Sequence, residues 1–217
     1  MTKNSRDNET PHPGTDEFGV GGSAPQFSLP SIQGPTIQLL KLCKQNNVLL
    51  WFSRGFQCNF CRSHMQEFTR GYDRLLEHGT ELIQVAPNLD TSARRFFRDD
   101  LPPFPFVCDP DKRLYAVYGL GDRGAMDAAK NAIVTLASSI KTGETRRTIY
   151  GAYLDIANRN FARRLHHHAA TAVEHGLFLI DRKQTIQHRT IVGPIDPIPM
   201  VEDMLELIAS RCPIPSE

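Results

Sequence analysis

This 217-residue chain has almost no net charge, no long apolar run and no cysteine framework. Lys and Arg number 25 against 24 Asp and Glu, a formal charge of +1. That balance gives no electrostatic reason to expect nucleic acid or an anionic membrane surface as a partner. No apolar stretch approaches the roughly 18 residues of a membrane-spanning helix. The opening, MTKNSRDNETPHPGTDEFGVGG, lacks the apolar core of a secretory leader. A cytoplasmic protein is the expectation. The five cysteines, an odd number with one close pair, do not form the scaffold of a small secreted domain.

What is present begins after a polar start. Residues 1–24 are rich in Gly, Pro, Asn and Asp and read as a disordered tail, because they bury too little apolar surface to offset the entropy of ordering. Residues 25–217 read as one domain. Phe27 and Leu29 alternate with polar neighbours, a short edge strand closed by Pro30. A turn at Gly34-Pro35 leads to a second short element carrying Ile37, Leu39, Leu40 and Leu42. Residues 48–52, VLLWF, show no polar alternation, as in a central strand covered on both faces. Cys61, Met65, Phe68, Tyr72 and Leu75 then recur at steps of three and four, one face of a helix with Gly79 past its end.

The alternation continues. Residues 82–86 read as a strand and 90–98 as a helix capped by Asp90 or Thr91, with Ala93, Phe96 and Phe97 inward. Residues 106–108 form a strand, and a helix carrying Leu114, Val117 and Tyr118 stops at Gly119. This β-α-β-α-β-α order is doubly wound. About 121–174 breaks the rhythm and reads as a helical insertion. Residues 177–180 and 185–191 then form an antiparallel hairpin, and Ile198, Val201, Met204, Leu205 and Ile208 mark a last helix.

The chemistry-bearing stretch is the turn between the central strand and its helix, which holds Cys58 and Cys61. A thiolate is the attacking species, so a reactive cysteine needs a stabilised anion. Cys58 at a helix start meets unpaired N–H groups and the positive dipole end, and Arg54 and Arg62 flank it. Cys61, one turn on and facing inward, is the more buried partner. Cys58 is therefore expected to attack and Cys61 to resolve the product into a disulfide. Two other readings remain open: inert helix-start residues, and a C-x₂-C-x₂-H metal site with His64. The run His166, His167, His168 fans around a helix, so the three cannot share one metal. It reads as a solvated or interface patch. Cys108 reads as core, while Cys43 and the tail residue Cys212 are reserve resolving cysteines.

The run FSRGFQCNFCRSHMQEF resembles the peroxiredoxin-like branch of the alkyl hydroperoxide reductase/thiol-specific antioxidant (redoxin) family. That branch carries an F-x-R-x-x-x-C-x-x-C-R core. APQFSLPSIQG, ELIQVAP, FPFVCDPDKRLYAVYGL and GLFLIDRKQTIQHR follow the family's order, so the resemblance covers most of 25–210. Ordinary peroxiredoxins have proline and threonine or serine where this chain has Trp51 and Gly55. Their late arginine has no counterpart in His175-Gly176-Leu177. The resemblance implies an α/β protein of thioredoxin-like fold, a central mixed β-sheet flanked by helices with a helical insertion before the last hairpin. It also implies a thiol oxidoreductase that reduces peroxides through Cys58 and Cys61, with Arg54 and Arg62 stabilising the thiolate. A thioredoxin- or glutathione-type donor would restore the thiols, and no metal or organic cofactor is required. The alternatives are a thiol–disulfide oxidoreductase acting on protein disulfides, and a redox-sensing, partner-binding protein. A homodimer is open as the assembly.

Overall fold

The computed structural model describes residues 19–56, 58–98, 100–121, 173–192 and 198–213. Its first elements are β1 (Ser28–Pro30), β2 (Thr36–Gln38) and α1 (Leu39–Cys43), followed by β3 (Asn47–Phe52) and α2 (Asn59–Glu77). Then come β4 (Thr80–Ala86), α3 (Asp90–Phe97), β5 (Phe106–Cys108) and α4 (Arg113–Val117). The hairpin β6 (His175–Ile180) and β7 (Ile186–Val192) precedes α5 (Val201–Arg211). The expected insertion, with His166, His167 and His168, lies outside the described residues.

The main sheet has the order β5-β4-β3-β6-β7. β3 pairs in parallel with β4 and antiparallel with β6, so the sheet is mixed. β3 sits at its centre with all six residues buried. Successive strand side chains point to opposite faces. Val48, Leu50 and Phe52 pack with Leu39 of α1 and Tyr115 of α4, while Leu49 and Trp51 pack with Phe68 of α2 and Met204 of α5. The absence of polar alternation in β3 follows from this, since both faces are covered. α2 passes very close to α5. A Cβ on Gly71 would stand 2.5 Å from Val201 Cγ1, so only glycine allows this approach.

Some expectations shift. Gly21 N–H donates to the Ile186 carbonyl at 2.8 Å and Ala24 N–H to Gln184 at 2.8 Å. Ordered contacts with the hairpin thus begin inside the stretch expected as tail. In α3, Ala93 and Phe97 are buried, but Phe96 is 42 % exposed. In α4 the inward residues are Leu114 and Tyr115, with Val117 outside. Gly121 and Glu174 hold each other across the ends of 122–173, Glu174 N–H donating to the Gly121 carbonyl at 3.1 Å. Gly121 N–H donates in return to the Glu174 carboxylate at 2.9 Å.

Candidate active site

β3 ends at Phe52 and α2 begins at Asn59, so the turn that carries Arg54 and Cys58 sits at the carboxyl end of the central strand. Ligands and chemistry gather at such strand ends in open α/β sheets. Cys58 is the N-cap of α2, with extended backbone, and its sulfur accepts the Cys61 N–H at 3.5 Å. One of the donors a helix leaves unpaired at its start therefore points at this sulfur. Arg54 is buried at 7 % exposure, and its Nη1 lies 3.9 Å from Cys58 Sγ. A cation and a helix N-terminus thus meet on one sulfur atom.

Cys61 lies deeper. It is 3 % exposed and its sulfur accepts the Arg54 N–H at 3.3 Å. Its hydrogen bond to Cys58, followed by burial, pushes the Cys61 thiol well above its ordinary value, against the pull of Arg54. Cys61 therefore stays a neutral thiol at neutral pH, with its proton available to Cys58. Arg62 donates its backbone N–H to the Cys58 carbonyl at 3.0 Å, and its exposed side chain lines a cleft on the outer face of α2. Among the described residues no group of three His, Cys, Asp or Glu side chains is placed so as to hold a metal ion.

A polar frame beneath the turn sets its shape. Gly55 has φ +88, and a Cβ there would lie 2.4 Å from Asn88 Oδ1. Asn88 is buried, and its Oδ1 accepts the Phe56 N–H at 3.3 Å. The Gly55 N–H donates to Ser53 Oγ at 3.2 Å, and Gln84 Nε2 donates to the same oxygen at 2.9 Å. Tyr115 Oη donates to the Ser53 and Val85 carbonyls. Burial holds the Tyr115 phenol well above its usual range, so it remains a donor. His175, 3 % exposed, opens β6 one residue before Gly176, the partner of Phe52, and so stands at the same sheet end. The sequence reading missed Asn88, Ser53, Gln84, Tyr115 and His175. Gln84 carried a signal, as a polar residue inside the apolar run of β4.

The reserve cysteines lie elsewhere. Cys212 is buried rather than exposed, and its carbonyl accepts Asn47 Nδ2 at 3.2 Å. Asn47 starts β3, and five strand steps of about 3.3 Å put that end roughly 17 Å from Phe52. Cys43 is also buried, before the same strand end. Cys108 is half-buried, not a full core residue. Burial raises Cys43 and Cys212 from 9.0 to about 11. The unfolded chain gives up these protons first, so stability is intact below pH 9 and falls as pH rises toward 11. Urea midpoints measured from pH 7.5 to 10.5 should show this decline, and Cys43→Ala should flatten it. A decline that Cys43→Ala leaves unchanged would remove this thiol as a cause.

Comparisons with known proteins bear on the family and the fold. The model of the AhpC/TSA family matches residues 20–189. A curated relative, the prostamide/prostaglandin F synthase of Salmo salar, is 24 % identical over 125 residues, 58 % of this chain and 62 % of its own length. Among solved structures, the reduced 2-Cys peroxiredoxin of Plasmodium vivax superposes with a TM-score of 0.58 at 15 % identity, covering 87 % of this chain and 79 % of that one. Peroxidoxin BcpB of Mycobacterium tuberculosis gives 0.56 at 13 %, with 88 % and 94 % covered. A Chlorobium tepidum structure described as a thiol:disulfide interchange protein DsbE gives 0.54 at 16 %, with 89 % and 98 % covered. The architecture is the thioredoxin-like one that the resemblance implied.

Proposed function

The chain belongs to the AhpC/TSA family, and on that premise we propose that it is a thiol-dependent oxidoreductase that reduces peroxides through Cys58 and Cys61. The observation that carries this reading is the convergence on Cys58 Sγ of the Arg54 guanidinium and the Cys61 N–H from the first turn of α2. Both favour a thiolate, and Arg54 is also placed to hold an oxygen approaching the sulfur.

The thiolate attacks the terminal oxygen of R–O–O–H. The O–O bond breaks, Cys58 becomes a sulfenic acid, and the alkoxide takes a proton from water to leave as R–OH. Cys61 then attacks the Cys58 sulfur, a disulfide forms, and the expelled hydroxide leaves as water with the Cys61 proton. A dithiol of the thioredoxin type, or two monothiols of the glutathione type, reduces the disulfide and is itself oxidised to a disulfide. A cytoplasmic setting would keep the resting thiols reduced.

A second reading has a specific basis. Gly55 supplies no hydroxyl to bind a peroxide, so attack on a protein disulfide uses the same two sulfurs with one fewer requirement. Mass spectrometry after mild peroxide exposure separates the readings. The expected result is a Cys58–Cys61 disulfide in the wild type and a dimedone-reactive Cys58 in Cys61→Ser. A Cys58 that stays reduced under peroxide but exchanges rapidly with a disulfide substrate would replace the peroxidase reading by the second.

A further inference from the structure

Cys61 has to give up a proton before its sulfur can attack. Its thiol is held neutral by the Cys58 hydrogen bond and by burial, and a neutral thiol is a weak nucleophile. Once Cys58 carries oxygen it is no longer a base, and no other side chain between Ser53 and Cys58 is one.

β6 brings a base to this place. β3 and β6 run antiparallel, with Trp51 opposite Leu177 and Phe52 opposite Gly176. One further step of that register sets His175 beside Ser53, across roughly 5 Å. Side chains alternate along a strand, so His175 lies on the face of Leu177, which packs in one cluster with Cys58 and Cys61. Its neighbour on β7 agrees, because Val192 pairs with His175 and packs against the same cluster. The level along the sheet agrees as well. The Cys61 sulfur accepts the Arg54 N–H at 3.3 Å, one residue past Ser53.

His175 is 3 % exposed and fixed from both sides. The clasp between Gly121 and Glu174 holds the backbone before it. After it, Gly176 lies so close to β7 that a Cβ would stand 2.4 Å from the Thr190 carbonyl oxygen. Burying a polar ring in such surroundings is costly, and histidine is the residue type that both takes and gives a proton near neutral pH. The other charged or titratable groups at this end are Arg54, Cys58 and Cys61, with Glu174, Tyr115 and His64. The Glu174 carboxylate accepts the Gly121 N–H, and Tyr115 is a donor to the Ser53 carbonyl. His64 is half-buried on α2, one turn past Cys61. β7 and α5 turn apolar Val192 and Met204 to the cluster.

Resting on the assignment of Cys58 as attacking and Cys61 as resolving thiol, we propose that His175 is the proton carrier of the resolving step. Its neutral imidazole takes the Cys61 proton as the Cys61 sulfur bonds to the Cys58 sulfur and the S–O bond of the sulfenic acid breaks. The imidazolium then gives that proton to the departing hydroxide, which leaves as water, and the imidazole is restored.

The chromogenic disulfide dithiobis(nitrobenzoate) isolates this step without any peroxide. A Cys108→Ala background removes the one half-buried thiol from the signal. Cys58 then releases one thionitrobenzoate in a first phase, and Cys61 releases a second by closing the disulfide. In His175→Gln the first phase should keep its rate, and the second should slow about a hundredfold at neutral pH. What remains of the second phase should rise about tenfold with each pH unit, because only hydroxide is left to take the proton. The wild type should instead level off once the imidazole is neutral. His64→Gln should match the wild type in both phases. A second phase unchanged in His175→Gln, or slowed in His64→Gln alone, overturns the proposal while Cys61 keeps its role. A wild type that releases only one equivalent overturns the resolving role of Cys61, and the proposal with it. If His175→Gln slows the first phase too, the wild-type pH profile decides, and a second phase that climbs without levelling overturns the proposal.

Discussion

Cys58→Ser should lose at least about a thousandfold in peroxide turnover while keeping the wild-type fold. Serine is the better N-cap, because its hydroxyl accepts the Cys61 N–H with shorter geometry than sulfur, so the start of α2 is not weakened. The loss is then chemical. An alcohol does not ionise in this range and is a poor nucleophile toward the peroxide bond. Cys61→Ser should behave differently, performing one fast attack and then stalling. Its buried position beside the Arg54 N–H tolerates a hydroxyl, but no second sulfur remains to expel the oxygen. The two variants are distinguished by a single-turnover burst, present in Cys61→Ser and absent in Cys58→Ser. Turnover of Cys58→Ser within tenfold of the wild type would move the nucleophile elsewhere.

Gly55→Thr, which restores the residue that ordinary peroxiredoxins carry at this point, should damage the protein. At φ +88 a β-branched residue is strained by about 1–3 kcal/mol. Its Cβ would stand 2.4 Å from Asn88 Oδ1, and displacing that buried amide removes the acceptor of the Phe56 N–H. Overpacking of this kind adds about 1–3 kcal/mol. The expected result is a lower urea midpoint and, as the turn moves Arg54 away from Cys58, peroxide turnover reduced about a hundredfold. Shortening Asn88 as well, in Gly55→Thr with Asn88→Ala, should not restore activity, since the strain at φ +88 remains. A fully active Gly55→Thr would show that this turn is not the rigid element its contacts describe. The missing threonine is thus a difference of backbone path as much as of side chain.

The same contrast separates what the sequence could show from what it could not. β3 was legible because five apolar residues in a row admit few other placements. The inward face of α2 was legible because Cys61, Phe68 and Leu75 repeat with the helix. Both signals are local. Asn88 carries no such mark, and the polar Gln84 marks its own place in β4 but not what it meets. They become neighbours of the turn only through the parallel register of β3 and β4, across 31 or 32 residues of chain. Phe96 sits at a periodic position, and periodicity put it inside. Phe97 took the core contact with Phe106 instead, leaving Phe96 to stack on Phe56 at the rim. Cys212 reads as a tail residue because it follows the last helix, yet it is buried, and the Asn47 amide donates to its carbonyl. Pairings between distant segments decide such cases, and one sequence does not record them.

The chain contains a single tryptophan, Trp51. It is fully buried in the cluster that also holds Cys58 and Cys61, with its ring 5.1 Å from Phe68. Its indole N–H has no hydrogen-bond partner among the described residues. The protein therefore carries its own optical label, shielded from solvent and in the same apolar cluster as both sulfurs. Emission from this one ring should change with the oxidation state of the turn without any dye. A fluorescence redox titration can thus read the midpoint of the Cys58–Cys61 couple in the unmodified chain.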